Sequence, residues 1–444
     1  MTNKWSKETI IEDASLHQVD YIYLELTDLN GIFRQLEIPA HELGDALDQK
    51  LLIDGSSITG FSAVENSDLK IVPDLTTWQI MSVEDGFQLA RLICDVYTTD
   101  GIPFLGNSRQ ILKDVLENME GMGFDRFNVG LEAEFFLLPK DAFGNPILKG
   151  NDEGNYMHHA PDSVSHRCRR EIAATLERLG FHIEALHHEV AAGQHELSWR
   201  YTDALDAADK FQTMKVVTKR IANKYNLHAT FMPKPLYNSA GSGMHCNMSL
   251  MKDGVNVFYD SAAEDGLSSV AKQFISGILT HSESFTAICN PTVNSYKRLV
   301  PGFEAPVYIA WSQKNRSTLL RIPSTQGQAT RIELRSADPS ANPYLVLAVA
   351  LSAGLDGIGR ELAEIAPINQ NIYHMSASER AEADVHELPH TLLDAIRKMK
   401  SNDFVLSVLG PHLTTQFIDL KTREYWNYED HVSQWELEHY LNKY

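Results

Sequence analysis

The stretch GLEAEFFLL, residues 130–138, sets two carboxylates on a strand that otherwise reads as core. Leu131, Ala133, Phe135 and Leu137 alternate and define one apolar face. Glu132 and Glu134 share the other face, ahead of Phe136 and Leu138. Carboxylates about 7 Å apart repel by roughly 2 kcal/mol at an effective dielectric near 20. Desolvation adds to that repulsion, so the pair calls for cations. GMHCNMSL (243–250) repeats the pattern, with Cys246, Met248 and Leu250 opposite His245, Asn247 and Ser249. TRIELRS (330–336) sets Ile332 and Leu334 against Arg331, Glu333 and Arg335. EALHHEVAAGQHELSW (184–199) adds Glu184, Glu189 and Glu196. One such strand reads as a sheet face in water. Three of them, with Phe136 and Leu138 continuing the charged face of the first, describe a lined site.

Glu132, Glu134, Glu189, Glu196, Glu333 and His245 form a hard, oxygen-rich ligand set without a thiolate. That set suits Mg²⁺ or Mn²⁺ rather than structural zinc, and its size suits two ions better than one. His187, His188 and His195 are read as supporting or structural. Opposed to the carboxylates are Arg298, Arg316, Arg321, Arg331 and Arg335. Arginine makes bidentate contacts to phosphate and carboxylate, so metals beside arginines point to phosphoryl transfer on an anionic substrate. The chain has neither a GxxxxGK[ST] loop nor a kinase motif set. GSGMHC has the wrong glycine spacing for a dinucleotide fingerprint and leads into a strand.

The elements that must position these residues follow from the wider pattern. A chain of 444 residues with 43% hydrophobic residues predicts at least two domains with sizeable cores. A net charge of −20 argues against nucleic-acid binding, so an anionic substrate needs a local basic cluster. Residues 21–40 predict a hairpin and 89–101 a further strand and turn, with a domain boundary near 103. Beyond it, helices are expected at 108–122, 163–180, 203–225 and 267–285, and from 341 onward. Strands are expected at 127–138, 182–190, 194–200, 227–233, 243–251 and 329–336. Frequent hairpin-like pairs favour an α+β fold with a mainly antiparallel sheet. YLVLAVALSAGL (344–355) reads as a core helix, not a membrane span. The amino terminus lacks an apolar signal region, and four dispersed cysteines fit a reducing cytoplasm.

With these residues in place, the chain resembles the bacterial glutamine synthetases, of the shorter type that is not adenylylated, along essentially its whole length. The matching stretches are DGSSITGF (54–61), GLEAEFFLL, EALHHEVAAGQHE, HATFMPKPL (228–236), GSGMHCNMSL, NPTVNSYKRLVPGFEAP (290–306), NRSTLLRIP (315–323) and RIELRSADPSANPYL (331–345). The resemblance implies a small β-grasp domain over 1–103 and a catalytic domain with a curved, mainly antiparallel sheet over 104–444. It implies a dodecamer of two hexameric rings whose active sites are shared between subunits. Residue by residue, it implies that Glu134, Glu189 and Glu196 hold one metal, and Glu132, His245 and Glu333 the other. Ala240, Gly241, Arg298, Arg316 and Arg335 would bind glutamate and the transferring phosphoryl. Glu184, Asn247, Ser249, Arg316, Arg321 and Arg331 would contact ATP. Asp54 of a neighbouring subunit, with Ser57 and Tyr156, would bind ammonium and take its proton, and Glu304 would cover the intermediate.

The chain also departs from the family pattern. Ala240 stands where an Asn is usual, the neighbours of Tyr156 differ, and Ser62 stands where Arg is usual, implying weak feedback by glutamine. Tyr373 lacks the acidic, proline-rich surroundings of the tyrosine that longer relatives adenylylate, so it is expected to stay unmodified. Two competing readings are a γ-glutamyl ligase for a larger amine and a catalytically silent nitrogen sensor binding transcription regulators. The presence of Asp54, Ser57, Tyr156 and Glu189 argues against the first. The complete ligand set and Glu304 argue against the second.

Overall fold

Ile22, Leu24 and Leu26 alternate into a small core with Leu69, Ile71, Ala90, Leu92 and Val96. The structure is a computed structural model that describes residues 5–61, 67–81, 83–149, 154–160, 162–303, 305–313 and 315–444. Ser62 and Glu304 lie outside the described residues. The amino-terminal part runs α1 (Lys7–Leu16), β1 (Tyr21–Thr27), β2 (Phe33–Pro39), α2 (Leu43–Leu47), β3 (Leu52–Asp54), β4 (Asp68–Pro73), β5 (Gln79–Ile80) and β6 (Leu89–Thr98). These strands form a six-stranded sheet ordered β2-β1-β6-β4-β3, with β5 also paired to β6. The expected hairpin over 21–40 is present as β1 and β2, whereas β1 and β6 run parallel. The sequence reading does not anticipate α1. Only Ile10 and Ala14 of it are buried, so its apolar period is faint, and its clearest signal is a Ser6–Thr9 capping box.

The larger part continues with α3 (Ser108–Gly121), β7 (Arg126–Pro139), α4 (Val164–Arg178), β8 (Ile183–His188), β9 (Gln194–Trp199), β10 (Thr202–Asp203) and α5 (Ala204–Lys224). Then come β11 (Leu227–Thr230), β12 (Met244–Lys252), β13 (Val255–Asn256), α6 (Ser269–Cys289), α7 (Ser295–Arg298), β14 (Tyr308–Ser312), β15 (Thr318–Arg321) and β16 (Ile332–Leu334). The chain ends with α8 (Pro343–Gly359), α9 (Ala377–Glu382), β17 (His386–Glu387), α10 (Leu392–Lys400), α11 (Asp403–Glu429) and α12 (Gln434–Tyr440). Among the described residues the second sheet has eleven strands, ordered β17-β14-β15-β16-β12-β7-β9-β8, with β10 and β11 on β7 and β13 on β12. Among the described residues its only parallel pair is β14 with β15, so the antiparallel α+β expectation holds.

The alternation in β7 is realised in packing. Leu131, Ala133, Phe135 and Leu137 enter the main core with Phe211 and Met214 of α5 and the buried residues of α6 and α8. Phe136 and Leu138 face the other way, into a small cluster with Ala191. α8 is buried on nearly every side, which explains the unbroken apolar run as a core helix. Among the described residues no helix is long and apolar enough to cross a membrane. The two parts meet across a polar seam. Arg109 at the start of α3 donates to Asp74 at 2.8 Å, Asp95 at 3.1 Å and Asp209 at 2.9 Å.

Candidate active site

Strand register assembles the charged groups into a row. His187 on β8 pairs with Glu196 on β9, which pairs with Glu134 on β7. Glu132, one pleat along, pairs with His245 on β12. Asn247 pairs with Glu333 on β16, which pairs with Arg321 on β15. Because side chains two apart share a face, strands β8, β9, β7, β12, β16 and β15 present these residues on one surface. Glu189 arrives on the turn after β8, where its N–H bonds to the Gln194 carbonyl at 2.8 Å. The cleft over this surface is lined by all six expected metal ligands and by Tyr156, Ala240, Gly241, Arg298, Arg316, Arg321 and Arg335.

Two glycines make the approach of the walls possible. A Cβ at Gly241 would stand 2.4 Å from the Pro233 carbonyl oxygen. One at Gly243 would stand 2.6 Å from the Arg298 guanidinium and 2.9 Å from His245 Nε2. With no side chain in the way, the Gly243 N–H donates to Glu134 at 2.8 Å. Arg298 is buried, and donates to the carbonyls of Ser336 at 2.7 Å and Arg335 at 3.1 Å. Glu333 accepts from Arg335 at 2.5 Å and Arg321 at 2.8 Å.

The electrostatics divide the carboxylates. Burial works to raise the Glu132 pKa, but the His245 ring at 3.3 Å and the Asn247 amide at 2.9 Å outweigh it and lower it to about 2. Burial and the neighbouring Glu196 charge raise Glu134, although the His245 and Arg298 charges oppose them. Burial, Glu134 and Glu196 together push Glu189 up to about 7. This end of the cleft therefore has an excess of negative charge over the cations the chain itself supplies.

The expected nucleotide residues occupy the neighbouring space. Glu184, Asn247, Ser249 and Arg331 line a second cavity that adjoins the first at Glu132 and carries Trp199 and Tyr201 in its wall. Arg331 donates to Asn247 at 3.0 Å, and Asn247 donates to Glu132, so polar contacts link the two cavities. Asp54 and Ser57 do not line the cleft of their own chain. Asp54 is exposed at the sheet edge, and accepts from Ser56 and Ser57 hydroxyls at 2.6 Å.

His187 is the residue that sequence reasoning undervalued. It lines the cleft, with Nδ1 3.3 Å from Glu189 and Nε2 3.3 Å from Glu196, and Tyr156 packs edge-on against its ring. Its register opposite Glu196 was the available signal. His188 and His195 are buried, His188 against the Glu189 carbonyl at 2.6 Å and His195 against Arg169 at 2.8 Å. Gln194, which donates to Glu134 at 3.2 Å, and Phe303 also line the cleft and carried no sequence signal.

Residues 105–440 match the glutamine synthetase catalytic domain, and residues 18–99 match the glutamine synthetase β-grasp domain. The chain belongs to the glutamine synthetase family. It is 51% identical over 441 residues to a glutamine synthetase of Staphylococcus aureus, covering 99% of both chains. A glutamine synthetase of Staphylococcus epidermidis is 50% identical over the same length, with the same coverage. A solved structure described as a GmaS/ADP complex superposes with a TM-score of 0.88 at 31% identity, over 98% of this chain and 99% of that one. The glutamine synthetase of Plasmodium falciparum gives a TM-score of 0.88 at 26% identity, over 99% of each chain.

The glutamine synthetase family implies ATP and divalent metal ions, and the donor chemistry here fits the metals. Ligand atoms of Glu132, Glu196 and His245 lie within 4.8 Å of one another, as do those of His187, Glu189 and Glu196. Glu196 belongs to both groups, and Glu333, which accepts from Arg321 and Arg335, also lies 3.8 Å from His245 Nδ1. Both groups are oxygen-rich, and both lie where the carboxylates repel one another.

Proposed function

We propose that this protein is an ATP-dependent glutamate–ammonia ligase that forms glutamine through a γ-glutamyl phosphate. The observation that carries this reading is the single row of carboxylates, imidazole and arginines in a cleft adjoining a second, aromatic-walled cavity. Glutamate's γ-carboxylate is a poor acylating group, and transfer of the ATP γ-phosphoryl to it supplies a leaving group. Glu134, Glu189 and Glu196 would hold one ion and Glu132, His245 and Glu333 another, Mg²⁺ or Mn²⁺, with two or more per site. Bound metal would neutralise the phosphates and the charge developing between them.

In this reading Ala240, Gly241, Arg298, Arg316 and Arg335 orient glutamate and the transferring phosphoryl, so charge meets preorganised donors. Glu184, Asn247, Ser249, Arg316, Arg321 and Arg331 hold ATP. Asp54 and Ser57, contributed by a neighbouring subunit, join Tyr156 in binding ammonium, and Asp54 accepts the proton that makes it nucleophilic. Glu304 shields the acyl phosphate. The exposed Asp54 at an edge of its own chain supports a shared site in a dodecamer of two hexameric rings. A boundary near residue 103, a cytoplasmic location and contact with nitrogen-regulatory transcription factors belong to the same reading. Ser62 is too short to pair with Glu304, so glutamine should inhibit weakly, and a dose–response against Ser62→Arg checks that. The principal test is product formation from glutamate, ATP and Mg²⁺ with ammonium against a panel of amines. Glutamine as the dominant product is expected, and a preference for a larger amine would reject the assignment.

A further inference from the structure

Lys234 touches three segments that each carry residues of the cleft wall. Its backbone is pinned to Asn294, with the Lys234 N–H donating at 2.7 Å and the Asn294 amide donating back to the Lys234 carbonyl at 3.1 Å. Asn294 is the residue before α7, the short helix that carries Arg298. The Lys234 ammonium donates to the carbonyl of Ser239, the residue before Ala240 and Gly241. The same ammonium lies 4.0 Å from the centre of the Phe303 ring. Phe303 and Ala305 both line the cleft. The Tyr373 hydroxyl donates to the Ala305 carbonyl at 2.7 Å. Phe303 and Ala305 are thus each anchored, one by a cation on its aromatic face and the other by a phenol on its carbonyl.

We propose that Lys234 is a positioning residue that, with Tyr373 as a second anchor, holds Phe303 and Ala305 against the substrate end of the cleft and keeps water from the activated intermediate. This rests on the acyl-phosphate reading above. The leak it prevents is hydrolysis: water's oxygen bonds to the carbonyl carbon of the γ-glutamyl group, and the bond from that carbon to the phosphate oxygen breaks. Phosphate leaves with the electron pair, a proton of the water passes to solvent, and glutamate is regenerated. A loosened wall would therefore waste ATP without forming glutamine.

The test uses the full-length protein with Mg²⁺, glutamate and ATP, and compares phosphate release without ammonium with glutamine formation at saturating ammonium. Lys234→Met keeps the stem and removes the cation. It should raise the ratio of leak to synthesis about tenfold, while the KM for ATP stays near the parent value. Lys234→Arg restores a cation and should bring the ratio back to within about threefold of the parent. Tyr373→Phe should raise the leak too, and the double variant should fall short of the product of the two effects, since both act on one wall. A ratio within about twofold of the parent in Lys234→Met would overturn the proposal, as would an equal rise in ATP KM, which marks general distortion. If Lys234→Met does not fold, Tyr373→Phe decides by the same criteria, because it removes a single oxygen. Hydroxylamine in place of ammonium checks the foundation. If the parent enzyme forms no γ-glutamyl hydroxamate, the acyl-phosphate reading fails and the anchor with it; hydroxamate without a leak in the variants rejects the anchor alone.

Discussion

Glu134 is held by two donors, the Gly243 N–H at 2.8 Å and the Gln194 amide at 3.2 Å, yet burial and Glu196 still raise its pKa. Its charge is therefore a burden on the fold that a bound cation would relieve. Glu134→Gln keeps the shape and an acceptor oxygen for Gly243 while removing that charge. The metal-free variant should unfold at a temperature no lower than the parent, and Mn²⁺ affinity should fall by about tenfold or more, as loss of a charged ligand predicts. Calorimetry of unfolding and of Mn²⁺ binding reads both quantities. A variant that binds Mn²⁺ like the parent would remove Glu134 from the ligand set. Glutamine formation should be lost in parallel with the metal.

At the scale of elements, the site depends on how closely the segment before β12 approaches its neighbours. Gly241 faces the Pro233 carbonyl at a distance that leaves no room for a Cβ, and the clash would be with backbone, which cannot swing aside. Gly241→Ala should push the Ala240–Gly241 segment away from Arg298. The KM for glutamate should rise about tenfold, the effect of losing roughly one charge-assisted contact. The KM for ATP should change little, because Glu184, Ser249 and Arg331 lie in the other cavity. Steady-state kinetics with each substrate varied separates the two, and an equal loss on both would indicate collapse of the sheet.

Across the whole molecule, Arg109 ties the two parts together through Asp74, Asp95 and Asp209, all within 3.2 Å. Removing the guanidinium leaves buried carboxylates facing one another, so Arg109→Ala should cost about 3–5 kcal/mol. Urea unfolding and hydrogen exchange along the seam would register it. Burial tends to raise Asp74, but Arg109 and Thr76 outweigh that and hold its pKa below the usual value. A carboxylate held low in the folded protein adds stability above its unfolded pKa, near 3.9, and loses it as pH falls through the folded value. The seam should therefore open in acid below pH about 4, and raising the pH from 5 to 8 should leave this contribution unchanged. Assembly gives a second expectation at this scale. Asp54→Ala and Glu333→Ala proteins, each inactive, should recover some activity when their subunits are exchanged, because mixed interfaces contain one intact pair. Verified exchange without recovery would refute a shared site.

The sequence by itself determined the faces of the strands. A period of two is local, so the split of β7 into Leu131, Ala133, Phe135 and Leu137 against Glu132 and Glu134 was legible before any fold was known. The same local rule found His245 and Asn247 on β12 and Glu333 on β16, and the donor chemistry pointed to hard cations. Family-specific stretches then implied roles for Arg298, Arg316 and the nucleotide residues. What alternation could not supply was register between strands distant in sequence. Only the tertiary structure set Glu132 opposite His245 and Asn247 opposite Glu333, because those pairings depend on which strands become neighbours. The same holds for Lys234 and Phe303, which lie on irregular segments where no period operates and which meet only through the packing of two loops. The expected strand over 329–336 is shorter in the structure, Ile332–Leu334, and a 3₁₀ turn at Gly327–Ala329 precedes it.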